Sequence, residues 1–276
     1  MIAFDFDYYK PSTVTEAVET YKLAHHAGKQ VIFYAGGTEF ITFARTNKKR
    51  ADVVIDIKGI PECMMLEVVG DELIIGAAVS LTTIVESNRF PLLGETVQRI
   101  ADHTSRNKIT IGGNLNSQFI YREGMLPFLL ADAEGTVAGK GKDKVVPLQQ
   151  IFDEGLDEGE FLVQIHVNQS YVELPFSTIK RTRMSKVGYP IVTVAALMKD
   201  NQIRTAFSGV CEFPFRSDEI ETLLNDSAIS KEEQINQVIN HLPGPVVQDI
   251  HASAEYRKYV LKNVLTDILA ALEETT

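Results

Sequence analysis

Hydrophobic and polar positions along the chain fall into three blocks. In the first, Val14, Ala17, Val18 and Tyr21 recur at helical spacing. Thr13 stands at the N-cap position with Glu16 three residues on, as in a capping box, and Gly28 stops the run. The short apolar runs Val31–Ala35 and Val53–Ile57 read as strands, so residues 1–58 predict a small α/β unit. From about residue 64 the pattern changes. Leu66–Val69 and Glu72–Ile75 flank Gly70-Asp71 as a hairpin. Leu81–Glu86 and Leu92–Ala101 have helical spacing, and Lys108–Ile111 reads as a short strand. A strand pair is expected around Gly139-Lys140-Gly141, and the acidic stretch Asp153–Glu160 as an exposed loop. In the last block, Pro175–Lys180, Ile191–Lys199 and Ile203–Val210 read as strands. Ser217–Leu224, Lys231–Leu242 and Ala252–Leu272 read as helices. Strands followed by helices predict a separate α+β domain. The pattern changes put cuts near residues 60 and 170.

Composition narrows the function classes. The chain has 276 residues and 45% hydrophobic positions, enough apolar material for a large core. Its formal charge of −10 argues against a nucleic-acid or anionic-membrane surface. No apolar run approaches the roughly 18 residues of a membrane span. The opening MIAFDFDYYK has no signal-peptide character, so the expected compartment is the cytoplasm. Cys63 and Cys211 are far apart, which excludes a disulfide framework and an iron–sulfur cluster held by this chain alone. None of the six histidines has a metal-ligand spacing, and adjacent His25 and His26 read as solvated residues of a helix end.

Two glycine pairs carry the candidate chemistry. Each follows an apolar run: Ala35-Gly36-Gly37-Thr38-Glu39 and Thr110-Ile111-Gly112-Gly113-Asn114. Glycine permits a left-handed turn and leaves no Cβ to block an approaching group. Successive backbone N–H groups in such turns form an anion-binding concavity. Thr38, Thr110 and Asn114 add side-chain donors, so two such loops suit the two phosphates of a pyrophosphate; two tight turns of no functional meaning remain the alternative. Other phosphate motifs fail. Gly135–Lys140 is one residue short of a Walker A loop, and Gly139-Lys140-Gly141-Lys142 lacks the third glycine of a dinucleotide fingerprint. No catalytic base, nucleophile or metal ligand stands out. That pattern suits a protein whose chemistry belongs to a bound cofactor.

These residues resemble the FAD-binding (medium) subunits of molybdenum hydroxylases, the xanthine dehydrogenase and carbon monoxide dehydrogenase type. Ala35–Glu39 is similar to that family's Ala-Gly-Gly-Thr-Asp loop. Arg106-Asn107 with Thr110–Leu115 is similar to its Arg-Asn-x-x-Thr-Ile-Gly-Gly-Asn-Ile loop. Ile74–Ala77 with Leu81-Thr82, Gly209-Val210 with Pro214 and Arg216, and Ala252–Arg257 resemble further elements in the same order. The resemblance implies an α+β fold: a two-subdomain FAD-binding domain of the PCMH (vanillyl-alcohol-oxidase-like) type over 1–170, then a C-terminal α+β domain over 171–276. It implies that Ile32, Phe33, Tyr34, Ala35, Gly36, Gly37, Thr38 and Glu39 wrap the FAD pyrophosphate from one side, and Thr110, Ile111, Gly112, Gly113 and Asn114 from the other. Glu123 falls where the family has an Asp near the ribityl chain, and Lys180 at a basic residue near the isoalloxazine. Phe161 or Leu162 would give that ring a backbone contact, Ile100 would pack near it, and Tyr189 would lie over it.

The implied function is electron transfer. FAD would take electrons from an iron–sulfur partner and pass a hydride to NAD. Molybdopterin and the iron–sulfur clusters would sit on a large molybdenum subunit and a small iron–sulfur subunit, with the trimer able to pair as a homodimer. The segment Asn116–Glu123 departs from the family: proline is missing, Phe119 and Tyr121 are bulky, and Glu replaces Asp. This departure motivates a second reading, a flavin-free scaffold of the same fold. A standalone oxidoreductase is a third, and the run Arg45–Arg50 is a candidate docking patch or a solvated loop.

Overall fold

The structure is a computed structural model that describes residues 2–139, 141 and 143–274. Met1, Lys140, Lys142, Thr275 and Thr276 lie outside them, and with them the lysines of both rejected phosphate motifs. The chain forms two compact units from interleaved segments. Unit 1 takes residues up to Thr83, His103–Asn116 and Asp132–Asn168; unit 2 takes Ile84–Asp102, Ser117–Ala131 and everything from Gln169 on.

Unit 1 begins with a parallel sheet of β1 (Asp7–Tyr9), β2 (Val31–Tyr34) and β3 (Val53–Asp56), in the order β1-β3-β2. Side chains alternate across a strand, so β3 is buried on both faces. Val53 and Ile55 pack with Ala17 and Tyr21 of α1 (Val14–His26). Val54 packs with Phe40 and Ala44 of α2 (Thr38–Arg45). Thr13 caps α1 as predicted, accepting from the Glu16 N–H at 3.1 Å. The Glu16 carboxylate closes the box one residue earlier, on the Ser12 N–H at 2.8 Å.

The rest of unit 1 is an antiparallel sheet of β4 (Leu66–Val69), β5 (Glu72–Gly76), β6 (Glu134–Ala138), β7 (Lys144–Pro147) and β8 (Phe161–Asn168), in the order β4-β5-β8-β6-β7. Both expected strand pairs are present. The strand expected at Lys108–Ile111 is not. Ile109 O and Ile111 N bond the Leu81 N–H and Val79 carbonyl, each at 2.9 Å, leaving only an isolated bridge. Thr110 then caps a short helix, Ile111–Leu115, its side chain accepting from the Gly113 N–H. The acidic stretch also differs: its first two residues end a helix, Leu148–Glu154, which Gly155 stops at φ +80°.

Unit 2 holds the antiparallel sheet β9 (Phe176–Thr182), β10 (Pro190–Lys199), β11 (Gln202–Ser208) and β12 (Phe215–Arg216), in the order β12-β11-β10-β9. One face, with Val192, Val194 and Ala196, packs on Leu261, Val264, Leu265 and Ile268 of the final helix Ala254–Glu274. Two upstream helices, Pro91–Val97 and the wholly buried Met125–Leu130, also pack on this sheet. They belong to the stretch that the sequence assigns to the first domain.

Candidate functional site

In unit 1 the two glycine turns meet. The first closes β2 and opens α2. Gly37 is the N-cap of α2 at φ +70°, with no side-chain hydrogen bond capping the helix start. A Cβ on Gly36 would fall under 3.0 Å from the Lys108 carbonyl and 3.3 Å from the Thr110 N. The second turn is as tight. Gly112 donates to the Ala77 carbonyl at 2.8 Å, and a Cβ there would sit 2.7 Å from that of Ala77. Thr110 Oγ1 accepts from the Gly113 N–H at 3.3 Å. Two segments more than 70 residues apart in sequence thus form one backbone-lined surface. Phe161 and Leu162 lie on β8 with buried side chains, Phe161 packed on Phe33 at a ring distance of 4.4 Å.

Beside the first turn sits a group that sequence reasoning missed. Lys58 Nζ donates to the Ala35 carbonyl at 2.5 Å and to both Asp56 oxygens at 2.8 Å. It also lies 4.6 Å from the centroid of the Tyr34 ring, against which Gly37 packs. The Tyr8 hydroxyl donates to Asp56 from the other side. Burial pushes the Asp56 carboxyl up, but hydrogen bonds from Lys58 and Tyr8 outweigh it and hold the group below its usual range. The bond to Asp56, with burial, raises the Tyr8 phenol to about 12. Sequence carried one signal, an Asp and a Lys closing the apolar run of β3, but not their target.

In unit 2 the predicted residues form two clusters. Glu123 and Lys180 are buried and paired at 2.9 Å. Glu123 also accepts from Thr193 at 2.8 Å, and Lys180 donates to the Arg99 carbonyl at 2.9 Å, next to Ile100. Burial pushes the Glu123 carboxyl above its usual range, against the pull of Lys180 and Thr193. Tyr189 is 49% exposed and stacks on Tyr121 at 4.9 Å, with Phe119 at 5.6 Å and His251 at 6.1 Å. Arg257, fully buried, holds the root of that segment by donating to the Ile191 and Gly209 carbonyls and to Asp249.

Residues 4–169 match the family described as the FAD binding domain in molybdopterin dehydrogenase. The chain belongs to that family.

Curated members of the FAD-binding family extend the match to the whole chain. The alpha subunit of the 6-hydroxypseudooxynicotine dehydrogenase complex of Paenarthrobacter nicotinovorans is 25% identical over 96% of this chain and 93% of its own length. The nicotinate dehydrogenase FAD-subunit of Eubacterium barkeri is 24% identical over 98% of each chain. Carbon monoxide dehydrogenase of Hydrogenophaga pseudoflava has the same fold, with a TM-score of 0.88 at 23% identity over 99% of each chain. The α+β architecture expected from the resemblance is therefore the observed one, and the chain is an FAD-binding subunit of the molybdenum hydroxylase family, an oxidoreductase. Among the described residues no helix is long and apolar enough to cross a membrane, and no His/Cys/Asp/Glu group is arranged to hold a metal ion.

Proposed function

We propose that this chain is the electron-transfer subunit of a xanthine dehydrogenase-like molybdenum hydroxylase, with the FAD pyrophosphate held across its two joined glycine turns. The observation that carries the reading is the backbone contact of Gly36 with Lys108 and Thr110. That contact brings the backbones of both turns onto one surface free of side chains, which a diphosphate lying across them can approach closely. The start of α2 adds the positive end of a helix dipole, with no side chain from Gly37 in the way. Thr38, Glu39, Ile111 and Asn114 line the two turns, and Ile32, Phe33 and Tyr34 deliver the first from β2.

The bound flavin supplies one-electron uptake and two-electron hydride release. The chain's own residues do the positioning. Lys58, clamped by Asp56, fixes the Ala35 carbonyl and so the entry to the first turn. Thr110 fixes the second by capping its helix. Phe161 and Leu162, with their side chains in the core, offer only backbone. Within unit 2 a separate assignment follows from the resemblance: Tyr189 offers an exposed ring for stacking, and Ile100 an apolar side chain for packing, on the flavin. Glu123 and Lys180, saturated by each other, act by locking the Arg99 backbone and Thr193. On this reading electrons arrive from a small iron–sulfur subunit and leave to NAD, in the cytoplasm. A large molybdenum subunit chooses the substrate, and the trimer pairs as a homodimer.

The test is the absorption spectrum of the purified full chain with and without added FAD. Stoichiometric flavin binding at micromolar concentration is expected. No binding would sink the reading in favour of a flavin-free scaffold, for which the aromatic segment around Phe119 and Tyr121 speaks. Reduction of the bound flavin by NADH, run in reverse, tests NAD as acceptor.

A further inference from the structure

Three neighbouring strands of unit 1 carry a relay of polar side chains. β5, β8 and β6 are consecutive in the five-stranded sheet, and Glu72, His166 and Thr136 stand on them in a row. Thr136 Oγ1 is 2.7 Å from His166 Nε2, and His166 Nδ1 is 3.1 Å from Glu72 Oε2. A carboxylate only accepts, so it holds the imidazole hydrogen on Nδ1. Nε2 is then an acceptor, and the Thr136 hydroxyl donates to it. A hydroxyl aimed at a base, with the base oriented by a third group, is the arrangement that makes an alcohol nucleophilic.

The row lies on the open face of the sheet. Ile165 and Val167, which flank His166 in β8, are fully buried and point the other way. The His166 and Glu72 side chains are 15% and 44% exposed. The register of β6 on β8 shifts between Thr136 and Val137, and bulges of this kind re-aim a side chain beside reactive sites. Gln164 stands directly opposite Thr136, which puts their Cβ atoms about 5 Å apart. Among the described residues its amide donates to the Met65 thioether, a weak acceptor, at 3.1 Å. An N–H is left over for an oxygen that gains negative charge beside Thr136. On the other side Thr136 pairs with Val145, which is 56% exposed and offers apolar surface to a short acyl chain.

We propose that Thr136 is a nucleophile that takes a short acyl group from an activated ester, an activity separate from electron transfer. The Thr136 oxygen bonds to the ester carbonyl carbon while its proton passes to His166 Nε2. The bond from that carbon to the leaving oxygen breaks, and the leaving group departs with the proton. Water, deprotonated by His166, then attacks acyl-Thr136. The carboxylic acid leaves, and His166 returns the proton to the Thr136 oxygen. Gln164 donates to the carbonyl oxygen in both halves. Glu72 touches only the imidazole and is a positioning residue.

The experiment is incubation of the purified full chain with para-nitrophenyl acetate, reading para-nitrophenolate release and the mass of the peptide that holds residue 136. An acetyl group on Thr136 is expected, with release at least tenfold slower in T136V and in H166Q and retained in T136S. E72Q should slow acetylation at least threefold and E72D restore part of it, a rescue that a loss of sheet packing would not produce. Valine is β-branched like threonine, so T136V suits the strand. Should H166Q fail to fold, T136V against T136S decides alone. Equal release by wild type, T136V and T136S overturns the inference, as does acetyl found only on lysines or other hydroxyls. Loss of release in H166Q with T136V unaffected overturns it too, since the imidazole would then act without the threonine.

Discussion

Gly36 lies against the backbone of Lys108 and Thr110 with no space for a methyl group between them. Gly36→Ala must therefore separate the two turns. The expected outcome is a stability loss of about 1–3 kcal/mol from overpacking together with at least tenfold weaker FAD binding. Denaturant melts and FAD titration measure the two. Undiminished flavin affinity in a folded G36A chain would remove the cradle from the binding site.

Lys58 joins Ala35 to Asp56, and Asp56 is 3% exposed in its side chain. Lys58→Met leaves that carboxylate with Tyr8 and the Lys58 backbone N–H as its remaining hydrogen-bond donors. A loss of about 1–3 kcal/mol is expected for the stranded charge. The double variant K58M/D56N should be more stable than K58M alone, because the uncompensated charge goes with it. Equal effects of the two variants in urea melts would show that the pair is not coupled.

Acid should expose the same clamp. Asp56 and Asp249 both titrate below their ordinary value of 3.8, because donated hydrogen bonds outweigh burial. A depressed carboxyl contributes stability that is fully present above its unfolded pKa and lost as pH falls through the folded one. Stability should thus decline as pH drops below about 4, and D56N should flatten that decline. Melting temperature against pH reads it directly, and parallel curves for wild type and D56N would refute the assignment.

Lys180 and Glu123 are both almost fully buried. Removing one partner of such a pair costs about 3–5 kcal/mol, whereas replacing both with apolar residues is often neutral. K180M is expected to destabilise strongly and K180M/E123L to recover most of the loss in chemical denaturation. A K180M chain as stable as wild type would mean that Glu123 is already protonated, the direction in which burial pushes it.

Much of this architecture was legible because local chemistry and tertiary context agree. α1 has its cap, its stripe and its stop in one stretch, and the glycine-turn hairpin β4–β5 declares itself. The glycine turns were visible as motifs, but their contact was not, since nothing in Lys108 announces that its carbonyl will press on Gly36. Lys108–Ile111 misled because two apolar β-branched positions around a threonine look like a strand, while that threonine serves as the N-cap of a helix. Lys58 was invisible for a different reason: a lone Lys after an Asp is ordinary in sequence, and only the parallel sheet brings it under Ala35. Leu92–Ala101 reads as a helix and 125–130 does not stand out, and neither announces itself as the covering of a sheet that begins only at Phe176.

That last arrangement constrains synthesis. In unit 1, β8 lies between β5 and β6, so the five-stranded sheet cannot close until residue 168 has left the ribosome. By then residues 84–102 and 117–131 have already emerged with only each other, of their own unit, to pack against. Met125–Leu130, apolar throughout, must wait for β10 and β11. A nascent chain stalled at residue 169 would hold every strand of unit 1 and still display a greasy helix, an invitation to chaperones that ends only when the last hundred or so residues arrive.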